Sequence, residues 1–234
     1  MCLKNVFNIL VISVICFSGS VYGQDTIQML SGRKLTVSGL KFEDPKLAYD
    51  GYFTEKSVKK LKAGEIEYYR VFSVLTSDGK ESILYRQDTA EGMFRDETEM
   101  RYYVYGGQHA YEQYNPNWAL FTAGGASLLI SVFDTYNPKE YTNANGSITE
   151  KGFFRGNPTI LQVITPFVLT AAIGLPKVRL RLTNVSDKAL VNDENFLIGY
   201  ARVAKQRKIF AALKGSLAGI AVGLVSYYAV SGGN

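Results

Sequence analysis

Gly215, Gly219 and Gly223 recur at every fourth position in the run from Ile209 to Val230, which holds Lys214 and two serines as its strongly polar residues. On a helix, residues four apart lie one above another on the same face. Three stacked glycines leave a flat strip where a second helix backbone can approach closely. Transmembrane helices associate in this way, because lipid tails give them no hydrophobic reason to pair. A second spacing of the same kind, Ala119, Ala123, Ser127 and Ser131, lies in the apolar segment that begins at Trp118. These seven residues are the expected helix-packing positions, either against each other or across an oligomer.

The N-terminus reads as a secretory signal. Lys4 precedes a short apolar stretch, Val6 to Phe17, and small residues from Ser18 to Gly23 offer a cleavage site before Gln24. The apolar stretch is well short of the roughly 20 residues that a membrane span needs. Cys16 is a poor lipidation site, since Val14 and Ile15 before it are bulky. Cleavage after Gly23 removes both cysteines, Cys2 and Cys16, so the mature chain is expected to carry no disulfide and no thiolate ligand. It also removes Lys4 and no acid, leaving 25 basic residues against 21 acidic ones. That mild excess is not gathered on a reader motif, which argues against a nucleic-acid partner.

Residues 24–92 are expected to form an exported β domain. Thr26 to Leu30 and Lys34 to Leu40 alternate apolar with polar, as half-buried strands do. Ile66 to Leu75 is rich in aromatic and β-branched residues, and Ser77-Asp78-Gly79-Lys80 is a turn that returns the chain as a hairpin. Roughly five short strands of this kind fit a small antiparallel roll or barrel of the SH3 or Sm type. From Asp96 the period becomes helical, with Asp96 as cap and Glu97 and Glu99 in the positive first turn. Residues 93–117 are then a juxtamembrane helix, in which Gly106-Gly107 marks a kink or a close packing contact. The region 118–234 reads as helical and membrane-embedded, with apolar segments 118–133, 159–175 and 209–230. The fold class expected is therefore α+β, a small antiparallel β domain followed by a helical membrane region.

The charges conflict with a simple three-span topology. A cleaved signal exports the N-terminal domain, which puts 177–208 outside as well. Yet 177–208 carries Lys177, Arg179, Arg181, Lys188, Arg202, Lys205, Arg207 and Lys208, whereas 134–158 has only Lys139, Lys151 and Arg155. Basic loops normally stay in the cytoplasm. Two spans, with the first segment re-entrant or packed laterally, reconcile the two signals.

Catalytic signatures are missing from the sequence: no nucleophile elbow, no phosphate-cradling loop and no H-E-x-x-H. His109 is the single histidine, with Glu112 three residues on and Arg101 on the same stretch, a weak basis for a metal or an active site. No catalytic, cofactor-binding or metal residue is assigned. Tyr102, Tyr103, Tyr105 and Tyr111 offer a candidate partner surface, and a membrane-interface belt explains them as well.

The layout resembles a loosely defined group of bacterial cell-envelope membrane proteins. The residues that carry the likeness are Asp25-Thr26-Ile27, Tyr103 with Gly106 or Gly107 and Ala110, and Gly199-Tyr200 with Ala204-Lys205 and Lys208. The doubled Gly106-Gly107 and the long Asn-rich linker depart from the pattern. That resemblance implies an inner-membrane location, and the group brings no assigned activity. The expected function is structural or partner-binding and non-enzymatic, with the membrane, a second copy or another envelope membrane protein as partner. An oligomeric pore or transport accessory is the alternative, and a membrane-associated enzyme a more distant one.

Overall fold

In the computed structural model, the residues described are 24–53, 63–90, 92–136, 141–143, 146–148, 158–178 and 190–231. The expected signal, residues 1–23, lies outside them. Strands come first and helices follow, so the chain is α+β. It divides into two compact units. One holds the described residues up to Leu30 and Lys34–Phe94; the other holds Ser31–Arg33 and the described residues from Arg95 onward.

Among the described residues the β unit has eight strands: β1 (Asp25–Met29), β2 (Lys34–Ser38), β3 (Lys41–Glu43), β4 (Lys46–Tyr49), β5 (Gly51–Phe53), β6 (Gly64–Glu67), β7 (Val71–Leu75) and β8 (Glu81–Ile83). They form two antiparallel sheets, ordered β5-β2-β1-β7-β8 and β3-β4-β6. Ile27 pairs with Leu35 on one side and Val74 on the other. With period-two alternation this register places Ile27 on the covered face, and Ile27, Val37, Leu47, Val71 and Val74 form a fully buried core. The single strand expected over Ile66 to Leu75 is divided by a 3-10 turn at Tyr68–Arg70. Its halves join different sheets, and with the short strands β3, β4 and β5 this gives eight strands where roughly five were expected. The turn after β7 is the one expected: Thr76 N–H donates to Lys80 O (3.0 Å), and Gly79 takes φ +84°. The Thr76 hydroxyl bonds the Asp78 carboxylate and holds it below the ordinary carboxylate value.

The helical unit contains α1 (Glu97–Gln113), α2 (Asn117–Thr135), α3 (Leu161–Gly174), α4 (Glu194–Ser231) and a short hairpin, β9 (Tyr141–Asn143) with β10 (Gly146–Ile148). Asp96 caps α1 in a reciprocal box: its carboxylate accepts from Glu99 N (2.8 Å), and Glu99 accepts from Asp96 N (3.1 Å). Gly106 and Gly107 do not interrupt α1. The 38-residue α4 is the axis of the unit, at 1.5 Å per residue a rod of roughly 57 Å. Its first half packs on α1, its second on α2 and α3.

Candidate helix-packing seams and the basic collar

Both small-residue strips named from the sequence meet along one seam. A Cβ added at Gly215 would overlap Leu120 O; at Gly219 it would overlap Gly124 O and come 3.0 Å from Leu128 N; at Gly223 it would come 2.5 Å from Ser131 Cβ. Beside these contacts Ala119 and Ala123 pack with Ala211 and Ala212, and Ser127 and Ser131 are also buried. The glycines let the two backbones touch, and the order of contacts shows that α2 and the second half of α4 run in the same direction. α3 runs the opposite way. Gln162 Nε2 at its start donates to Asp134 near the end of α2 (3.1 Å), whereas Gly174 at its end abuts Ile209 and Ile173 packs beside Ala119. Asp134 also accepts from Thr159 N (2.8 Å), which ties the chain entering α3 to the end of α2.

A second close crossing went unnamed in the sequence. Gly199 of α4 lies against Tyr103 O, and Gly106 of α1 lies against Phe196 O. Each glycine thus touches the backbone that carries the other, and Ala110, Tyr200, Val203 and Ala204 pack beside them. Gly106-Gly107 hinted at a packing contact, but the isolated Gly199 had no periodic partner to reveal it.

The exposure pattern of α2, α3 and the second half of α4 is the reverse of a water-soluble bundle. Phe121 and Phe133 are each 71% exposed, while Ser127 and Thr135 on the same helix are at 0%. In α3, Gln162 and Thr165 are buried, whereas Val163, Phe167 and Val168 face outward. Phe210, Leu217, Val222 and Val225 do so on α4. Two helices, Asn117–Thr135 and Glu194–Val230, are long and apolar enough to cross a membrane; in each, 28% of the most apolar stretch is buried. The first segment, expected to be the re-entrant one, has the length of a span. The shorter apolar helix is α3, with Pro166 inside it.

The tyrosines are engaged within the chain. Arg95 stacks over Tyr103 (4.5 Å to the centroid), and Arg202 of α4 bonds its hydroxyl. Tyr111 takes Arg33 Nε on its hydroxyl (3.2 Å), with the Arg33 guanidinium over its ring (5.6 Å). Arg101 Nη1 reaches Tyr105 (3.5 Å), and Tyr102 is half-buried. Tyr103 and Tyr111 therefore contribute to the helix junction. Burial raises the Tyr114 phenol above its ordinary value, against a hydrogen bond with Trp118 that lowers it. His109 rests between the rings of Phe196 (6.0 Å) and Tyr200 (5.9 Å). Among the described residues its Nε2 has no hydrogen-bond partner, and no group of three His, Cys, Asp or Glu could hold a metal.

Where the two seams meet, cations close the helix ends. Arg207 Nη1 donates to Ala110 O (2.9 Å) and Tyr111 O (2.6 Å), two carbonyls of the last turn of α1. Lys208 Nζ donates to Pro176 O just beyond α3 (2.9 Å) and lies 5.7 Å from the Trp118 ring centroid. No protein-family model matches the chain, and no curated protein or solved structure is significantly similar to it.

Proposed function

We propose that this chain is a non-enzymatic, membrane-anchored cell-envelope protein with a structural or partner-binding role, its N-terminal β unit exported. The observation that carries the reading is the inverted exposure of α2, α3 and the second half of α4. In water, helices bury phenylalanine and leucine and expose serine and glutamine. In lipid the outward large apolar side chains are solvated by acyl chains, and small residues inside maximise backbone contact. Phe121, Phe133 and Phe167 outside, with Ser127, Thr135 and Gln162 inside, follow the lipid pattern. Trp118 and Tyr114 beside Arg207 and Lys208 suit the interfacial level, where aromatic and basic residues anchor spans. Export rests on the signal-like residues 1–23.

Alkaline extraction of cell membranes tests the anchoring: the chain stays in the pellet if its helices are in lipid, and release into the supernatant overturns the reading. Export is tested by a single cysteine at Lys80, exposed in the turn before β8 of the β unit, in a chain with Cys2 and Cys16 replaced by serine. Labelling of intact cells by an impermeant maleimide supports it. Labelling only after lysis places the β unit in the cytoplasm and overturns export while leaving the anchoring intact.

A further inference from the structure

The collar holds more positive charge than its contacts use. Lys208 is buried, and its ammonium meets a carbonyl and an indole face, neither of which neutralises it. Lys205 lies three residues earlier on α4, hence on the same helix face, and is exposed. Lys177, also exposed, directly follows the Pro176 whose carbonyl Lys208 reaches. Among the described residues, no carboxylate lies within ion-pair distance of any of the three lysines. An uncompensated buried cation is costly, and a nearby anion offsets that cost. Beside the lysines stand two exposed apolar groups, Leu175 immediately before Pro176, and Trp118 under Lys208. A cluster of positive charge at the end of α3, bordered on one side by exposed apolar side chains, matches a molecule with an anionic head and apolar tails.

We propose that Lys177, Lys205 and Lys208, gathered where α3 ends against α4, bind the phosphate headgroup of an anionic phospholipid, with Leu175 and Trp118 against its acyl chains. The proposal rests on the membrane-anchored reading above. It adds a specific lipid class and a site, at the membrane face shared by the start of α2 and the end of α3.

Trp118 is the only tryptophan in the chain and lies at the site, so its fluorescence reports occupancy directly. The full-length protein is reconstituted into phosphatidylcholine vesicles containing either brominated phosphatidylglycerol or brominated phosphatidylcholine at equal mole fraction, since bromine quenches tryptophan on contact. Phosphatidylglycerol is expected to quench Trp118 more strongly. In Lys177→Gln and Lys205→Gln that preference falls, roughly fivefold in apparent association for each lysine removed. Lys208 is left in place, because it caps the chain after α3 and its loss would disturb the fold. Equal quenching by the two lipids overturns the site and leaves the membrane reading standing. A preference that survives in the double variant overturns the assignment to these lysines. Loss of the preference on adding inorganic phosphate at matched ionic strength reassigns the site to a soluble anion. Absence of quenching by either lipid, with protein that washes off the vesicles at high pH, overturns the membrane reading and the proposal together.

Discussion

Gly219 and Gly125 show how one residue type serves opposite purposes on packed helices. A Cβ at Gly219 would strike the α2 backbone, whereas one at Gly125 meets nothing within 4 Å. Gly219→Leu should therefore separate α2 from α4 at a cost of about 1–3 kcal/mol or more from overpacking. Gly125→Leu should be neutral or slightly stabilising, since leucine is the better helix former by roughly 0.5–1 kcal/mol. Thermal unfolding of both variants in detergent checks this, and equal melting would sink the assigned seam. Asp78 offers a test at the same scale in the β unit. Its folded carboxyl is depressed chiefly by the Thr76 hydroxyl. The contribution of that contact is present above the ordinary carboxylate value and is lost as pH falls through the lower, folded one. An NMR titration should place the Asp78 midpoint below that of an ordinary aspartate, and Thr76→Val should raise it.

At the scale of elements, the informative property is which side of a helix is large. Leu129 on the outer face of α2 is 58% exposed. If that face meets lipid, Leu129→Arg should lower the membrane-integrated fraction by an amount corresponding to about 3 kcal/mol. If it met water, the same change would fall within about 0.5 kcal/mol of neutral. Alkaline extraction of the variant against the wild type decides between them. Among the strands, Ile27 is central because it pairs with β2 and β7 and is fully buried. Ile27→Ala should destabilise the β unit by about 2–5 kcal/mol, read as a lowered urea midpoint. Local signals located most elements: the Asp96 cap, the Ser77–Lys80 turn and the alternation of β1 and β2 are chemistry within a few residues. Splitting of the Ile66–Leu75 run was not legible, because propensity does not say which of two sheets a strand joins.

For the helical unit as a whole, direction matters more than length. The start of α2 and the end of α3 meet at Trp118, Lys208 and Pro176, and the end of α2 meets the start of α3 at Asp134. If all three helices cross a bilayer, single cysteines at Asn115 and Lys177 should label from one side and one at Thr142 from the other, in a chain freed of Cys2 and Cys16. Labelling of all three from one side would confine α2 and α3 to a single leaflet. Such an arrangement keeps the basic stretch 177–208 on the same side as α1, so the conflict between signal and charge persists and the labelling resolves it.

Sequence alone determined what depends on neighbours along the chain: the order of strands before helices, the capped start of α1, and the two strips of small residues. Helical periodicity places positions 119, 123, 127 and 131, and 215, 219 and 223, each on one face whatever surrounds them. Only the tertiary structure decided that the two strips lie in one interface, between α2 and α4 of a single chain. It also revealed that Gly199 crosses Gly106, that Tyr103 and Tyr111 are covered by arginines, and that Lys208 closes the chain after α3. Each of these joins residues tens of positions apart, and a pairing over that distance is set by how several helices pack at once, which no local pattern encodes.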